Sequence, residues 1–134
     1  MRMSKELFLR LALISRNQYP NEACGILLGN SETSRVDTVC EPRNIFKTAD
    51  EFEIDSLAYL KIEKCAEKNG KDVVGIFHSH PDAAAVPSEM DKQYMIPGLN
   101  YFISSVDCTG MKQLKAYTRK ATDGEVIELE YKVG

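Results

Sequence analysis

The sequence contains no tryptophan, only two histidines and no excess of basic residues. Its 17 lysines and arginines are interspersed with 20 aspartates and glutamates, which gives a formal net charge of −3. A surface that binds nucleic acid or an anionic membrane needs a concentration of basic side chains. We therefore expect neither kind of partner for this chain.

Long apolar runs are also missing, because no stretch approaches the roughly 20 residues that a membrane-spanning helix needs. The leucine-rich segment near the start is interrupted by Arg10 and Arg16, and no small-residue cleavage site follows it. An amphipathic helix therefore fits this segment better than a signal peptide does. We expect a cytoplasmic protein, and the length of 134 residues predicts a single domain over 1–134.

The four cysteines stand far apart and form no CxxC pair: Cys24, Cys40, Cys65 and Cys108. This spacing matches no recognisable zinc or redox motif. Buried thiols are the default interpretation for a cytoplasmic protein. A disulfide between Cys24 and Cys40 is an open alternative if the two segments pair as strands.

Hydrophobic periodicity and turn residues predict a mixed α/β chain, of the α+β type. Helices are predicted over 4–17, from Asp55 to Asn69-Gly70, and over 88–95. Strands are predicted over 22–29, 35–40, 72–77, 101–106, 112–119 and 125–132. The first two strands should pair antiparallel and the last three should form a meander, whereas 41–52 is predicted to be a loop.

Both histidines, His78 and His80, follow the most apolar strand, with one residue between them. Side chains alternate along an extended backbone, so the two rings should project to the same side. Such a pair can hold one metal ion. The alternative is that each ring is an ordinary core histidine with its hydrogen bonds satisfied.

Ser88 and Asp91 match a capping box, in which the serine side chain accepts from the amide three residues later. The functional alternative places Asp91 in the first helical turn as a third ligand beside the histidines. These roles compete for Asp91, but less for Ser88. Two histidines and one aspartate would leave one position of a zinc ion open for water, which is typical of a catalytic site.

Amide hydrolysis also needs a carboxylate that moves a proton to the leaving amine. Glu22 is the distinctive candidate because it opens a buried strand, where an unpaired charge would be costly. The alternative for Glu22 is a strand-edge glutamate bonded to backbone amides. Asp82 and Glu89 are nearer to the histidines in sequence, and we expect both to face solvent.

Together these residues resemble the signature of the JAMM (MPN+) metalloprotease family, H-[ST]-H-P-x6-S-x2-D with an upstream glutamate. His78-Ser79-His80-Pro81, Ser88 and Asp91 match the signature, and Glu22 matches the upstream residue. The resemblance implies a cytidine-deaminase-like mixed sheet flanked by helices, the JAMM/MPN fold. It also implies one Zn2+ per chain held by His78, His80 and Asp91, with Glu22 as general base and acid and Ser88 steadying the oxyanion.

Members of this family cut isopeptide or peptide bonds after the C-terminal glycines of ubiquitin or its relatives. Only residues 92–100 separate Asp91 from the next predicted strand, so the chain resembles the compact prokaryotic form, which lacks ubiquitin-gripping insertions. The implied partner is the C-terminal tail of a ubiquitin-like modifier or a sulfur-carrier protein. Two alternatives stay open, a non-hydrolytic binding module and a zinc hydrolase for small or cell-wall peptides, and so does a homodimer.

Overall fold

A computed structural model of the chain describes residues 1–42, 55–121 and 124–134. The predicted loop over 41–52 lies almost entirely outside the described residues. Within them the helices are α1 (Lys5–Gln18), α2 (Ser56–Lys68) and α3 (Glu89–Tyr94). The strands are β1 (Arg2–Met3), β2 (Cys24–Asn30), β3 (Arg35–Cys40), β4 (Asp72–Pro81), β5 (Asn100–Asp107), β6 (Gly110–Arg119), β7 (Val126–Leu129) and β8 (Lys132–Val133).

The strands form one mixed sheet in the order β7-β6-β5-β4-β2-β3-β1-β8. β4 runs parallel to β5, and β1 runs parallel to both β3 and β8, while the other neighbours are antiparallel. β7 and β8 occupy opposite edges, although only two residues separate them in sequence. The sheet must therefore curl until its two edges come close together.

The two long helices cover opposite faces of this sheet. Ser4 caps α1 by accepting from the Leu7 amide, and the buried side of α1 packs with Phe77 and Phe102. Asp55 caps α2, whose buried residue Ala66 belongs to a second cluster with Ile76. Since adjacent strand residues point to opposite faces, Phe77 and Ile76 mark the two sides. Along the described chain no helix is long and apolar enough to cross a membrane.

The predicted helices, the antiparallel first pair and the strand meander are confirmed, with three differences. β4 continues through Pro81, because parallel β5 pairs with it as far as Val106. The predicted last strand is two strands, β7 and β8, with Tyr131 turned into the core between them. β1 was not predicted, because two residues carry no periodic signal.

The expectation of buried thiols is correct for Cys24 and wrong for Cys65 and Cys108, which are exposed. Cys65 lies on α2, where only the following residue is buried, and Cys108 lies in the turn between β5 and β6. β2 and β3 do pair, but Cys40 lies opposite Ile26 and not opposite Cys24, and all four thiols are free. Burial raises the pKa of the Cys24 thiol to about 12.

Candidate metal centre

The two histidines lie inside β4, on the face that also carries Ile76. In the register of the sheet, His78 lies opposite Cys24 of β2 and Ile103 of β5. His78 is only 1% exposed, whereas His80 is half-buried near the end of the strand. The rings therefore share one side of a strand that is paired on both edges, as their spacing predicted.

Three side-chain atoms from β4 and α3 form a small triangle. His78 Nε2 lies 3.1 Å from His80 Nε2, and Asp91 Oδ2 lies 3.2 Å from the first nitrogen and 3.0 Å from the second. A tetrahedral zinc site with bonds of about 2.0–2.1 Å places its ligand atoms about 3.3 Å apart. The triangle thus has nearly the dimensions of one face of that tetrahedron, and its two nitrogens and one oxygen are donors that zinc accepts.

Two of the three donors, His80 and Asp91, are oriented by a second hydrogen bond. His80 Nδ1 lies 3.0 Å from the carbonyl oxygen of Ala84. Because a carbonyl only accepts, Nδ1 of His80 carries a proton, and Nε2 is the ring atom that faces the triangle. Asp91 Oδ2 accepts from the Ser88 amide at 2.9 Å, and Ser88 Oγ accepts from the Asp91 amide at 3.0 Å.

The capping box and the ligand-like placement of Asp91 therefore coexist. The sequence left these two interpretations in competition, but a carboxylate oxygen has lone pairs enough for both. The same Oδ2 that accepts from the helix cap faces the two imidazoles. The cap fixes the carboxylate in the direction that the metal site requires.

Burial and hydrogen bonding shift the pKa values of the three residues. Burial lowers the pKa of His78 and outweighs the opposing effect of Asp91. Burial also acts to lower the pKa of His80, but hydrogen bonds to Asp91 and the Ala84 carbonyl prevail and raise it. Burial would raise the pKa of Asp91, yet hydrogen bonds from His78 and His80 hold it below its usual range. The carboxylate is thus ionised at neutral pH, as a metal ligand must be.

Glu22 lies just before β2 and is 4% exposed. One of its carboxylate oxygens lies within 4.8 Å of a ring nitrogen of His78 and of His80. Its negative charge also contributes to raising the pKa of His80. The structure therefore brings the Glu22 carboxylate close to both imidazoles.

The other acidic candidates and Ser88 lie at the surface. Asp82 accepts from the Tyr19 hydroxyl at 2.9 and 2.8 Å, and Glu89 pairs with Lys92 at 3.6 Å. Both face solvent, as expected. Ser88 is exposed at the start of α3, and a hydroxyl that accepts one hydrogen bond can still donate its own proton.

Three side chains that the sequence did not single out hold the segment around α3. Tyr117 Oη donates to the Ala85 carbonyl at 2.6 Å, and Arg119 Nη1 donates to the Lys92 carbonyl at 2.6 Å. The hydroxyl of Tyr101 accepts from the Ile96 amide at 2.7 Å. These residues belong to β5 and β6, and only the pairing of those strands beside β4 brings them to α3, so no local pattern reveals them.

Comparisons with known proteins show similarity to one protein family and to peptidases. Residues 4–120 match the family model of prokaryotic homologues of the JAB domain. A desampylase from Haloferax volcanii is 34% identical over 90 residues, covering 66% of this chain and 65% of that protein, just under two thirds of its length. A CysO-cysteine peptidase from Mycobacterium tuberculosis is 30% identical over 115 residues, covering 85% of this chain and 77% of that protein.

Solved structures support the same fold. A protein from Desulfitobacterium hafniense superimposes with a TM-score of 0.84 at 31% identity, covering 100% of this chain and 93% of that one. A JAB1/MPN domain protein from Archaeoglobus fulgidus gives a TM-score of 0.65 at 22% identity, covering 100% and 97%. The expected mixed sheet flanked by helices, the JAMM/MPN fold, is confirmed.

Proposed function

This chain belongs to the family of prokaryotic homologues of the JAB domain, and from that membership we propose that it is a zinc metallopeptidase. Its reaction is hydrolysis of the bond after the C-terminal Gly-Gly of a ubiquitin-like modifier or sulfur-carrier protein. The observation that carries this proposal is the triangle of His78 Nε2, His80 Nε2 and Asp91 Oδ2 with the Glu22 carboxylate beside it.

His78, His80 and Asp91 would hold the metal, at about one ion per chain. A bound zinc ion supplies a Lewis acid and makes water a nucleophile at neutral pH. The pairing of β4 on both edges, the His80–Ala84 contact and the helix cap keep the three donors in place. A ligand set that is held in place beforehand loses little entropy when it binds its ion.

Glu22 would take the proton from the attacking water and pass it to the nitrogen of the leaving amine. Its carboxylate is close to the donor triangle and is withdrawn from bulk solvent, two conditions that proton transfer at this site requires. The Ser88 hydroxyl would donate a hydrogen bond to the oxyanion that develops on the scissile carbonyl. Proton transfer and oxyanion stabilisation would thus fall to different residues.

The choice of substrate rests on the relatives. One is named as a desampylase and another as a CysO-cysteine peptidase. This chain is 34% identical to the first and 30% identical to the second over the aligned residues. We propose that the tail of a small carrier protein is the partner here. A cytoplasmic location is part of the proposal, supported by four cysteines that are free in the structure.

The test is mass spectrometry of candidate carrier proteins extended beyond Gly-Gly, incubated with the zinc-loaded protein. We expect removal of the extension, and we expect Glu22→Gln to retain zinc while losing hydrolysis. Glu89→Gln is the matched control, because it removes the same charge from an exposed side chain next to the site. Equal turnover by Glu22→Gln and the unmodified protein would reject the mechanism, and zinc binding without turnover of any carrier would favour a binding module.

A further inference from the structure

Ser79, the residue between the two histidines, plays no part in the metal centre. It is fully buried, and because side chains alternate along β4, it points to the opposite face of the sheet from His78 and His80. Its hydroxyl lies where β2 and β4 separate. A buried hydroxyl at this place needs a partner, and that partner is the chain next to Glu22.

The contact replaces a regular bond of the sheet. Cys24 and His78 form the last register pair between β2 and β4, and one residue further on the Ser79 amide donates to the Ala23 carbonyl at 3.0 Å. A regular antiparallel pair would return this bond from the Ala23 amide to the backbone carbonyl of Ser79. Instead, the Ala23 amide donates to Ser79 Oγ at 2.7 Å. A side chain thus ends the β-ladder at Ala23.

We propose that Ser79 is the positioning residue for Glu22: its buried hydroxyl fixes Ala23 and so directs the adjacent carboxylate toward His78 and His80. Tyr19 is held on the other side of Glu22 by its hydroxyl bonds to Asp82. Glu22 therefore lies in a short segment anchored at both ends, and the buried anchor is Ser79. Any effect on catalysis rests on the function proposed above, whereas the effect on the position of Glu22 does not.

Removing the hydroxyl would leave the Ala23 amide without its acceptor. The strand can then relax toward the Ser79 backbone carbonyl, which would extend the ladder and rotate Glu22. A displacement of about 1 Å at a reacting group can cost about a hundredfold in rate. His78 and His80 project from the other face of β4 and Asp91 lies on α3, so the donor triangle should persist.

Ser104 provides a matched control. It lies directly opposite Ser79 in the register of β4 and β5, and it is also fully buried. Its hydroxyl lies 2.8 Å from the hydroxyl of Ser15 in α1, so its partner is a helix side chain and not the backbone next to Glu22. Ser104→Ala thus removes the same group at the same depth without touching the Ala23 contact.

The first measurement is nuclear Overhauser contact between the Glu22 methylene protons and the imidazole protons in the metal-free protein. Assignment is simple, because the chain has only two histidines. We expect cross-peaks in the unmodified protein and in Ser104→Ala, and their loss in Ser79→Ala, together with faster amide exchange at Ala23. This measurement does not depend on hydrolysis. It therefore tests the position of Glu22 even if the protein cleaves no carrier.

The second measurement is steady-state hydrolysis of a carrier fusion that the unmodified protein cleaves. For Ser79→Ala we expect kcat to fall about tenfold to a hundredfold, with KM and zinc content within about twofold of the unmodified protein. Ser79→Thr, which keeps the hydroxyl, should recover most of kcat, whereas Ser104→Ala should stay within about twofold. Ser79→Cys, with a similar volume and a weak acceptor, replaces Ser79→Ala if that variant does not fold. Unchanged Glu22–imidazole contacts in Ser79→Ala, or an equal loss of kcat in Ser104→Ala, would overturn the proposal.

Discussion

The two regions that supply the donor triangle are held in different ways. β4 is paired on both edges by β2 and β5, and it buries His78 almost completely. α3 has six residues, none of them buried, and it is held by its capping box and by side chains reaching from β6. The sheet thus builds the histidine pair into its own ladder, whereas the carboxylate is presented by a short surface helix.

This difference separates two ways of making a rigid ligand set. Mutating a β4 ligand should disturb both the metal site and the core, because the same side chain serves both. Mutating an α3 ligand should leave the core intact and change only the site. Variants in β4 and variants in α3 can each test this difference.

The largest effect is expected for His78→Ala. Losing one of three protein ligands should reduce zinc to well below one ion per chain, and the cavity left in the sheet should lower the free energy of unfolding by about 1–3 kcal/mol. Metal analysis and denaturant unfolding of the metal-free protein measure the two effects. A His78→Ala protein as stable as the unmodified one would show that the buried ring is not part of the core.

Asp91 variants should separate the metal site from the helix cap. Asp91→Asn keeps an oxygen for the Ser88 amide and loses the charge, so zinc affinity should fall at least about tenfold while the stability of the metal-free protein stays within about 0.5 kcal/mol. Asp91→Ala loses both roles and should cost about 1 kcal/mol in addition. Competition titrations with a zinc chelator and urea unfolding measure the two effects. Equal unfolding free energies for the two variants would mean that the bond from the Ser88 amide to the Asp91 side chain contributes nothing.

The smallest effect is expected for the side chains that hold α3 from outside. Tyr117→Phe removes the bond to the Ala85 carbonyl and Arg119→Lys weakens the bond to Lys92, each by an amount near 1 kcal/mol. We expect zinc affinity to fall about threefold to tenfold through a less ordered Asp91, with no change at β4. Histidine ring chemical shifts report on β4, so large shifts there would contradict the separation between the two regions.

The sequence was most informative where structure depends on neighbouring residues. Ser4 and Asp55 begin their helices as predicted, and the spacing of Ser88 and Asp91 alone predicted the capping box. The extension of β4 to Pro81 was not, because it depends on β5, which lies far along the chain. The exposure of Cys65 was also missed, because the sequence analysis expected buried thiols by default, whereas α2 buries only Ala66.

The same distinction between local signals and long-range pairing applies to the candidate site. The spacing of His78 and His80 predicted a common direction for the two rings. Asp91 was an alternative to a helix cap that the family resemblance favoured, and the structure brings its carboxylate to both imidazoles. Glu22 was singled out because a charge at the start of a buried strand is unusual and because it matches the upstream glutamate of the family signature. Its distance from the imidazoles depends on the register of β2 against β4. The contact of Ser79 depends on that same pairing, and the contact of Tyr117 depends on the pairing of β6 with β5, so neither left a local signal.

The curled sheet also fixes the order in which a growing chain can complete its parts. β1 pairs with β8, and the Lys132 amide donates to the Met1 carbonyl at 3.0 Å. This pairing cannot form until β8 has been synthesised. Contacts between residues so far apart in sequence are slow to form. The donor triangle needs β4 and α3, with β2, β5 and β6 as supports, all of which leave the ribosome before β8. A nascent chain can therefore bring the three donor atoms together before β1 pairs with β8.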